Sequence, residues 1–293
     1  MLPLLLATLL NALSCQSAPL EPRQSITALS TSQINFFTPY THFASAAYCQ
    51  PSTTTSWTCG ANCQANPDFI PVDSGGDGAS VQFWYVGYLP SLSTVIVAHQ
   101  GTDTSQIEAD ATDANAFLEN LDSNLFPGVP SSVEVHSGFA DEQAKTATRI
   151  LSAVQKTMST YSASSVTVVG HSLGAAIALL DGVYLKIHLS VPIGIIGYGL
   201  PRVGNQAFAN YVDANLSLTH INNKKDPVPI MPGRFLGYHH PSGEVHITET
   251  STWESCSGQD NPSTSCIVGD VPNIFEGYEP DHDGPYNGIT MGC

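Results

Sequence analysis

Residues 166–180 read Val-Thr-Val-Val-Gly-His-Ser-Leu-Gly-Ala-Ala-Ile-Ala-Leu-Leu. An apolar run rich in β-branched residues gives way to one rich in alanine and leucine, so the pattern predicts a buried strand followed by a helix. Between them lies Gly170-His171-Ser172-Leu173-Gly174, the G-x-S-x-G arrangement of a serine set on a sharp strand-to-helix turn. Such a turn strains the serine backbone and crowds the positions two residues to either side, which Gly170 and Gly174 tolerate because they carry no Cβ. The helix N-terminus that follows offers unpaired N–H groups and a partial positive charge, both suited to a developing oxyanion. The stretch implies a nucleophilic serine and, with it, a serine hydrolase.

A nucleophilic serine needs a base, and the base needs a carboxylate to orient it. Behind an elbow of this kind the chain order is serine, then Asp or Glu, then histidine. Asp226 follows a strand-like run at 218–222 and precedes Pro227, which stops the strand, whereas Asp181 and Asp213 fall inside helical patterns. His239, His240, His246 and His282 all come later. His246 falls within an edge-type strand at 243–249 and His239 and His240 lead into one, so all three read as packing residues. His282 instead stands in a loop beside Gly284 and Pro285 and is the preferred base. Gln100-Gly101-Thr102-Asp103 closes a strand-like run at 93–99 and is a candidate oxyanion loop, although it also reads as an ordinary turn.

Composition narrows the partners. The 293 residues carry 25 acids against 9 bases, a formal charge of −16, which argues against nucleic acid and against electrostatic capture by anionic membranes. Residues 1–18 read as a signal peptide, because the apolar run from Met1 to Leu13 is too short to span a bilayer and is followed by small residues. Removing it takes away Cys15 and leaves Cys49, Cys59, Cys63, Cys256, Cys266 and Cys293. An even set in a secreted chain favours disulfides; local spacing favours Cys59–Cys63 and Cys256–Cys266, which leaves Cys49–Cys293. Cys59 and Cys63 lack the close Cys/His company of a zinc site, so no metal is expected, nor any cofactor. Asn215-Leu216-Ser217 is an N-glycosylation sequon.

Along the chain, residues 19–34 are polar and form a flexible lead-in or pro-segment. A helical pattern covers 35–48, two strands at 81–88 and 93–99 form a hairpin, and 104–122 carry five acids and no base in an amphipathic helix or lid segment. A strand leaving through a glycine turn is expected over 133–139, a long helix over 141–161, a strand over 192–198 and a helix over 202–215. This alternation predicts one α/β domain over 35–293, mostly parallel at its centre, with antiparallel edges.

Taken together, these residues resemble the fungal class 3 lipases, the filamentous-fungus triacylglycerol lipase and feruloyl esterase family. The resemblance rests on Gly101-Thr102, His136-Ser137-Gly138-Phe139, Gly170–Gly174, Tyr198–Asn205, Asn223–Pro229, Gly237–Pro241 and Asp281-His282 with Tyr286, in that order over most of the chain. It implies an α/β-hydrolase fold with a short lid at about 103–113, Ser172 as nucleophile, Asp226 as orienter and His282 as base. It further implies an oxyanion hole of Thr102 and the Leu173 N–H, and it matches the pairings Cys49–Cys293 and Cys59–Cys63. The expected activity is hydrolysis of a carboxylic ester by a secreted, monomeric enzyme, with a triacylglycerol lipase acting on acylglycerol at a lipid–water interface as first choice. A feruloyl or short-chain esterase is the alternative, and a non-catalytic binding relative the remote one. The lid departs from the oil-seeking type, since it offers Ile107 and alanines beside Glu108, Asp110 and Asp113. His99-Gln100 also stands before the oxyanion glycine where the family often has an arginine.

Overall fold

The computed structural model describes residues 25–102 and 117–293. The signal peptide expected at 1–18 and the lid expected at about 103–113 lie outside them. In chain order the strands are β1 (Ile26–Ala28), β2 (Ile70–Gly75), β3 (Trp84–Leu89), β4 (Thr94–His99), β5 (Leu118–Asn120), β6 (Glu134–His136) and β7 (Ser165–His171). They continue with β8 (Ile193–Tyr198), β9 (Gly204–Asn205), β10 (Ser217–Asn223), β11 (Tyr238–His239), β12 (Glu244–Ile247) and β13 (Trp253–Cys256). Nine of them form one sheet in the order β1-β13-β12-β10-β8-β7-β4-β3-β2. The centre, β4-β7-β8-β10-β12, is parallel, and β2, β3, β13 and β1 pair antiparallel on either side. This is an α/β-hydrolase fold.

The middle strands β4, β7 and β8 are rich in valine and isoleucine because both faces are covered. Side chains alternate across the pleat. Val95, Val97, Val166 and Val168 face the helices Ser137–Tyr161 and Leu173–His188, packing on Ile150, Val154 and Leu179. Ile96, Ala98, Val169 and Ile196 face the helix Thr31–Ala46, packing on Tyr40 and Phe43. Each such aliphatic side chain fully removed from water contributes about 1.5–3 kcal/mol, so the sheet core anchors every strand end that reaches the site.

Several boundaries differ from the sequence reading, each for a local reason. The helix expected from residue 35 starts at Thr31, because Ser30 and Gln33 form a reciprocal capping box. The lead-in expected over 19–34 therefore ends sooner, and its Ile26–Ala28 stretch pairs with β13 as the sheet edge. Since β13 and β1 lie outside it, β12 is an interior strand rather than the edge strand expected at 243–249. The long helix starts at Ser137 rather than Asp141, with His136 as its N-cap. The next expected helix starts at Gln206, not Arg202, where the Asn205 side chain accepts the Phe208 N–H at 2.9 Å. Leu118–Asn120, within the expected acidic helix, is a strand of a second, four-stranded sheet ordered β11-β9-β6-β5, which the sequence reading did not contain.

Cys49–Cys293, Cys59–Cys63 and Cys256–Cys266 are disulfides. Beneath the loop that follows β10 lies a buried polar cluster. Arg202 donates to Asp260 at 2.8 Å and to the Ile230 and Pro232 carbonyls, and Asp260 also accepts the His240 N–H. His240 stacks on His220 at 4.8 Å, and both are buried. Burial pushes His220 down to about 4 and His240 down to about 3, the neighbouring His220 adding to the latter. The unfolded chain protonates both near 6.5, while the folded one keeps them neutral. Folding therefore releases protons below that pH, and stability is present in full above it. We expect urea-unfolding stability to fall as pH drops from about 6.5 towards 3–4, with a shallower fall in a His240→Phe variant.

Candidate active site

The elbow forms where β7 ends and the helix Leu173–His188 begins. Ser172 is the N-cap, at φ 61° and ψ −131°, a positive φ that a serine adopts only under constraint. Its N–H donates to the Tyr198 carbonyl at the end of β8, 2.9 Å away, and its own carbonyl accepts the Ala175 N–H at 2.9 Å. The two glycines make the turn sterically feasible. A Cβ on Gly170 would stand 2.1 Å from the Gly174 carbonyl oxygen, and one on Gly174 would stand 2.4 Å from the His99 carbonyl oxygen.

Parallel pairing brings the other candidates to the same sheet edge. Asp226 follows the C-terminal end of β10, fully buried. Its Oδ1 accepts the Val228 N–H at 2.9 Å and its Oδ2 pairs with His282 Nδ1 at 2.9 Å. His282 comes in from the far end of the chain on the turn Glu279–Asp281. Its ring lies against Gly199, the residue after Tyr198, so closely that a Cβ there would be 2.8 Å from the ring. The backbone under this ring is clamped, for the His282 carbonyl accepts from His171 Nε2 at 2.8 Å and from the Tyr286 hydroxyl at 2.9 Å. With Nε2–H donating, His171 Nδ1 is left to accept, and the Tyr48 hydroxyl donates to it at 2.6 Å. Burial and the adjacent His282 hold His171 well below the usual imidazole range, so it stays neutral and keeps this tautomer.

Ser172 Oγ and His282 Nε2 are both buried and neither has a hydrogen-bond partner among the described residues. They are the two atoms that a proton transfer from serine to histidine would use. Beside them runs the loop after β4. Gly101 approaches so closely that a Cβ on it would lie 3.0 Å from the Ser172 Cβ, and Thr102 follows, half-buried. The Leu173 N–H, first in its helix, has no intrahelical acceptor. A polar cleft of about 660 Å³ opens against this loop, lined by Tyr48, Gln82, Gly101, Thr102, Glu279 and Asp283.

The remaining candidates lie elsewhere. His239 is 3.5 Å from Asp260, His240 belongs to the cluster below, and His246 pairs with Asp270 at 3.1 Å. Asp213 holds Ser242 on an exposed surface, and Asp181 pairs with His99. Glu244, Cys256 and Cys266 approach one another with metal-ligand atoms, but both sulfurs are bonded and Glu244 Oε1 accepts the Ile267 N–H at 2.6 Å. Sequence reasoning missed Tyr48 and the clamp at His171. Tyr48 carried only the helical period of an aromatic residue, and a hydrogen bond across 123 residues leaves no local signal. Removing that hydroxyl strands the buried His171 Nδ1. A Tyr48→Phe variant should lose about 1–3 kcal/mol in urea unfolding and turn over a soluble ester several-fold more slowly.

The family description "Lipase (class 3)" matches residues 96–236. The secreted mono- and diacylglycerol lipase MDL2 of Malassezia globosa is 37% identical over 206 residues, 68% of this chain and 66% of that protein. The chain thus spans slightly under two thirds of that relative's length. The secreted mono- and diacylglycerol lipase 3 of Gibberella zeae is 33% identical over 227 residues, 74% of this chain and 70% of that protein. Among solved structures, lipase II from Rhizopus niveus superposes with a TM-score of 0.79 at 27% identity, covering 92% of this chain and 99% of that one.

Proposed function

The chain belongs to the class 3 lipase family, and from that membership we propose that it is a secreted serine carboxylic-ester hydrolase acting on acylglycerols. The observation that carries the reading is the pair of buried, unpartnered atoms, Ser172 Oγ and His282 Nε2, with the other face of the imidazole locked on Asp226. Ser172 Oγ attacks the ester carbonyl carbon while His282 Nε2 takes its proton. Asp226 holds the ring in orientation and stabilises the imidazolium. The carbonyl oxygen, now negative, is held by the Leu173 N–H and by Thr102. As the tetrahedral species collapses, the bond to the alcohol oxygen breaks and His282 returns the proton to it, leaving an acyl-serine. Water then attacks the acyl carbon, His282 takes its proton, and the acid departs as Ser172 is restored. No step needs a cofactor. Once the chain is exported, Asn215, exposed at the end of its helix, is open to N-glycosylation.

Replacing Ser172 by alanine should reduce ester hydrolysis by about 10⁴-fold or more while the folded circular dichroism persists. Retained turnover would sink the assignment.

Within acylglycerols the polar cleft favours the partial glycerides over triacylglycerol. The cleft beside Gly101 and Thr102 carries Glu279, Asp283 and Gln82, polar groups that a free glycerol hydroxyl can hydrogen-bond and an acyl chain cannot. The two curated relatives compared above are named for mono- and diacylglycerol. We expect hydrolysis of mono- and dioctanoylglycerol to exceed that of trioctanoylglycerol by about tenfold or more in kcat/KM, measured as released acid at fixed pH. Equal rates would leave an acylglycerol hydrolase without this preference, and faster methyl ferulate cleavage would favour the feruloyl esterase reading.

A further inference from the structure

A second histidine–carboxylate pair lies buried behind the elbow. His99 is the last residue of β4, and its Nε2 is 2.7 Å from Asp181 Oδ2. The other oxygen, Asp181 Oδ1, accepts from Gln143 Nε2 at 2.7 Å. The three residues are 1%, 0% and 0% exposed. They come from three elements: the strand that ends in Gly101-Thr102, the helix that begins at Leu173, and the long helix Ser137–Tyr161.

That placement matters because the two proposed oxyanion donors come from separate pieces of chain. Thr102 sits three residues beyond His99, and Leu173 heads the helix that carries Asp181 two turns further on. The strand end already touches the helix: Gly174 packs on the His99 carbonyl, and Gly101 packs on Ser172. The β4–β7 ladder fixes the strand as far as His99, opposite Gly170. Past that last rung, backbone packing limits how close the loop and the helix come without tying them together, and the short, directional bond from the imidazole to the carboxylate supplies the tie. An apolar pair of equal volume would fill the core as well, since a buried ion pair contributes little net stability over a hydrophobic one. What the polar pair adds is direction.

We propose that His99 and Asp181, with Gln143 holding the carboxylate, are positioning residues that fix the separation between Thr102 and the Leu173 N–H. The proposal rests on the oxyanion hole described under the proposed function. Donors aimed at a developing charge act only within a few tenths of an ångström of their place, so slackening the tie lowers turnover without changing ground-state binding.

The test is a set of variants assayed on a water-soluble p-nitrophenyl ester, well below each variant's unfolding midpoint. His99→Leu deletes the donor, and His99→Gln keeps an amide donor at about the reach of Nε2. His99→Leu should lower kcat by about 10- to 100-fold with KM within about twofold, while His99→Gln restores kcat to within about threefold of the parent. Thr102→Val alone should lower kcat by about 10²-fold, and adding His99→Leu to it should cost less than about threefold more, because the tie then has only one donor left to place. If His99→Leu lowers the unfolding midpoint but leaves kcat of the folded protein unchanged, or costs the same in the Thr102→Val background, the pair is merely structural and the proposal fails. If Thr102→Val has no effect on kcat, it is the oxyanion assignment that fails. Should His99→Leu not fold, Gln143→Leu, which frees one oxygen of Asp181, gives the same reading on a smaller scale, and an unchanged kcat there overturns the proposal.

Discussion

The structure turns on a contact between two backbones. Gly174 at the start of a helix lies against the His99 carbonyl at the end of a strand, with no room for a single carbon between them. Only that approach lets Ser172 sit at positive φ, with its hydroxyl outside the helix and its N–H tied to the next strand. Everything else in the site is arranged around the space this turn leaves. The parallel sheet supplies the approach, because β4, β7, β8 and β10 all end at the same edge and deliver Gly101, Ser172, Gly199 and Asp226 to it.

Around this contact the protein uses neutral and paired polar groups as struts rather than as reactants. His171 bridges Tyr48 to the His282 carbonyl, and burial keeps it uncharged, so the strut does not compete for the proton that His282 would carry. Arg202 with Asp260 braces the loop that leaves Asp226, and burial beside this brace confines His220 and His240 to their neutral forms. The result is a site whose reactive atoms are few and whose supporting atoms are many. Such supports lower tolerance to acid while leaving Ser172 Oγ and His282 Nε2 free of competing bonds.

How much was legible in the sequence depended on how local the cause was. The elbow could be read because strand, turn and helix occupy fifteen consecutive residues and each has its own signature. Asp226 could be placed by the proline that follows it, and His282 by the glycine and proline of its loop. The clamp of Tyr48, His171 and Tyr286 could not, since its members are ordinary core aromatics until the fold brings them together. Nor could β1 or most of the four-stranded sheet: β6 lies in the strand-like stretch at 133–139, but the other strands, of two or three residues, are too short to carry an alternation and exist because a neighbour offers open hydrogen bonds. The interior place of β12 followed from the same omission, because a strand is an edge only until the next one is found.

The bond between Cys49 and Cys293 has a further consequence. It closes the chain into a covalent ring whose circumference contains the elbow, Asp226 and His282. A protease that cuts one peptide bond anywhere between those two cysteines opens the ring but releases no fragment. The nicked protein would migrate as one molecule until its disulfides were reduced, with its sheet still held in register by the uncut partner strands. For a secreted protein, a ring turns the first cut from a loss into a scar.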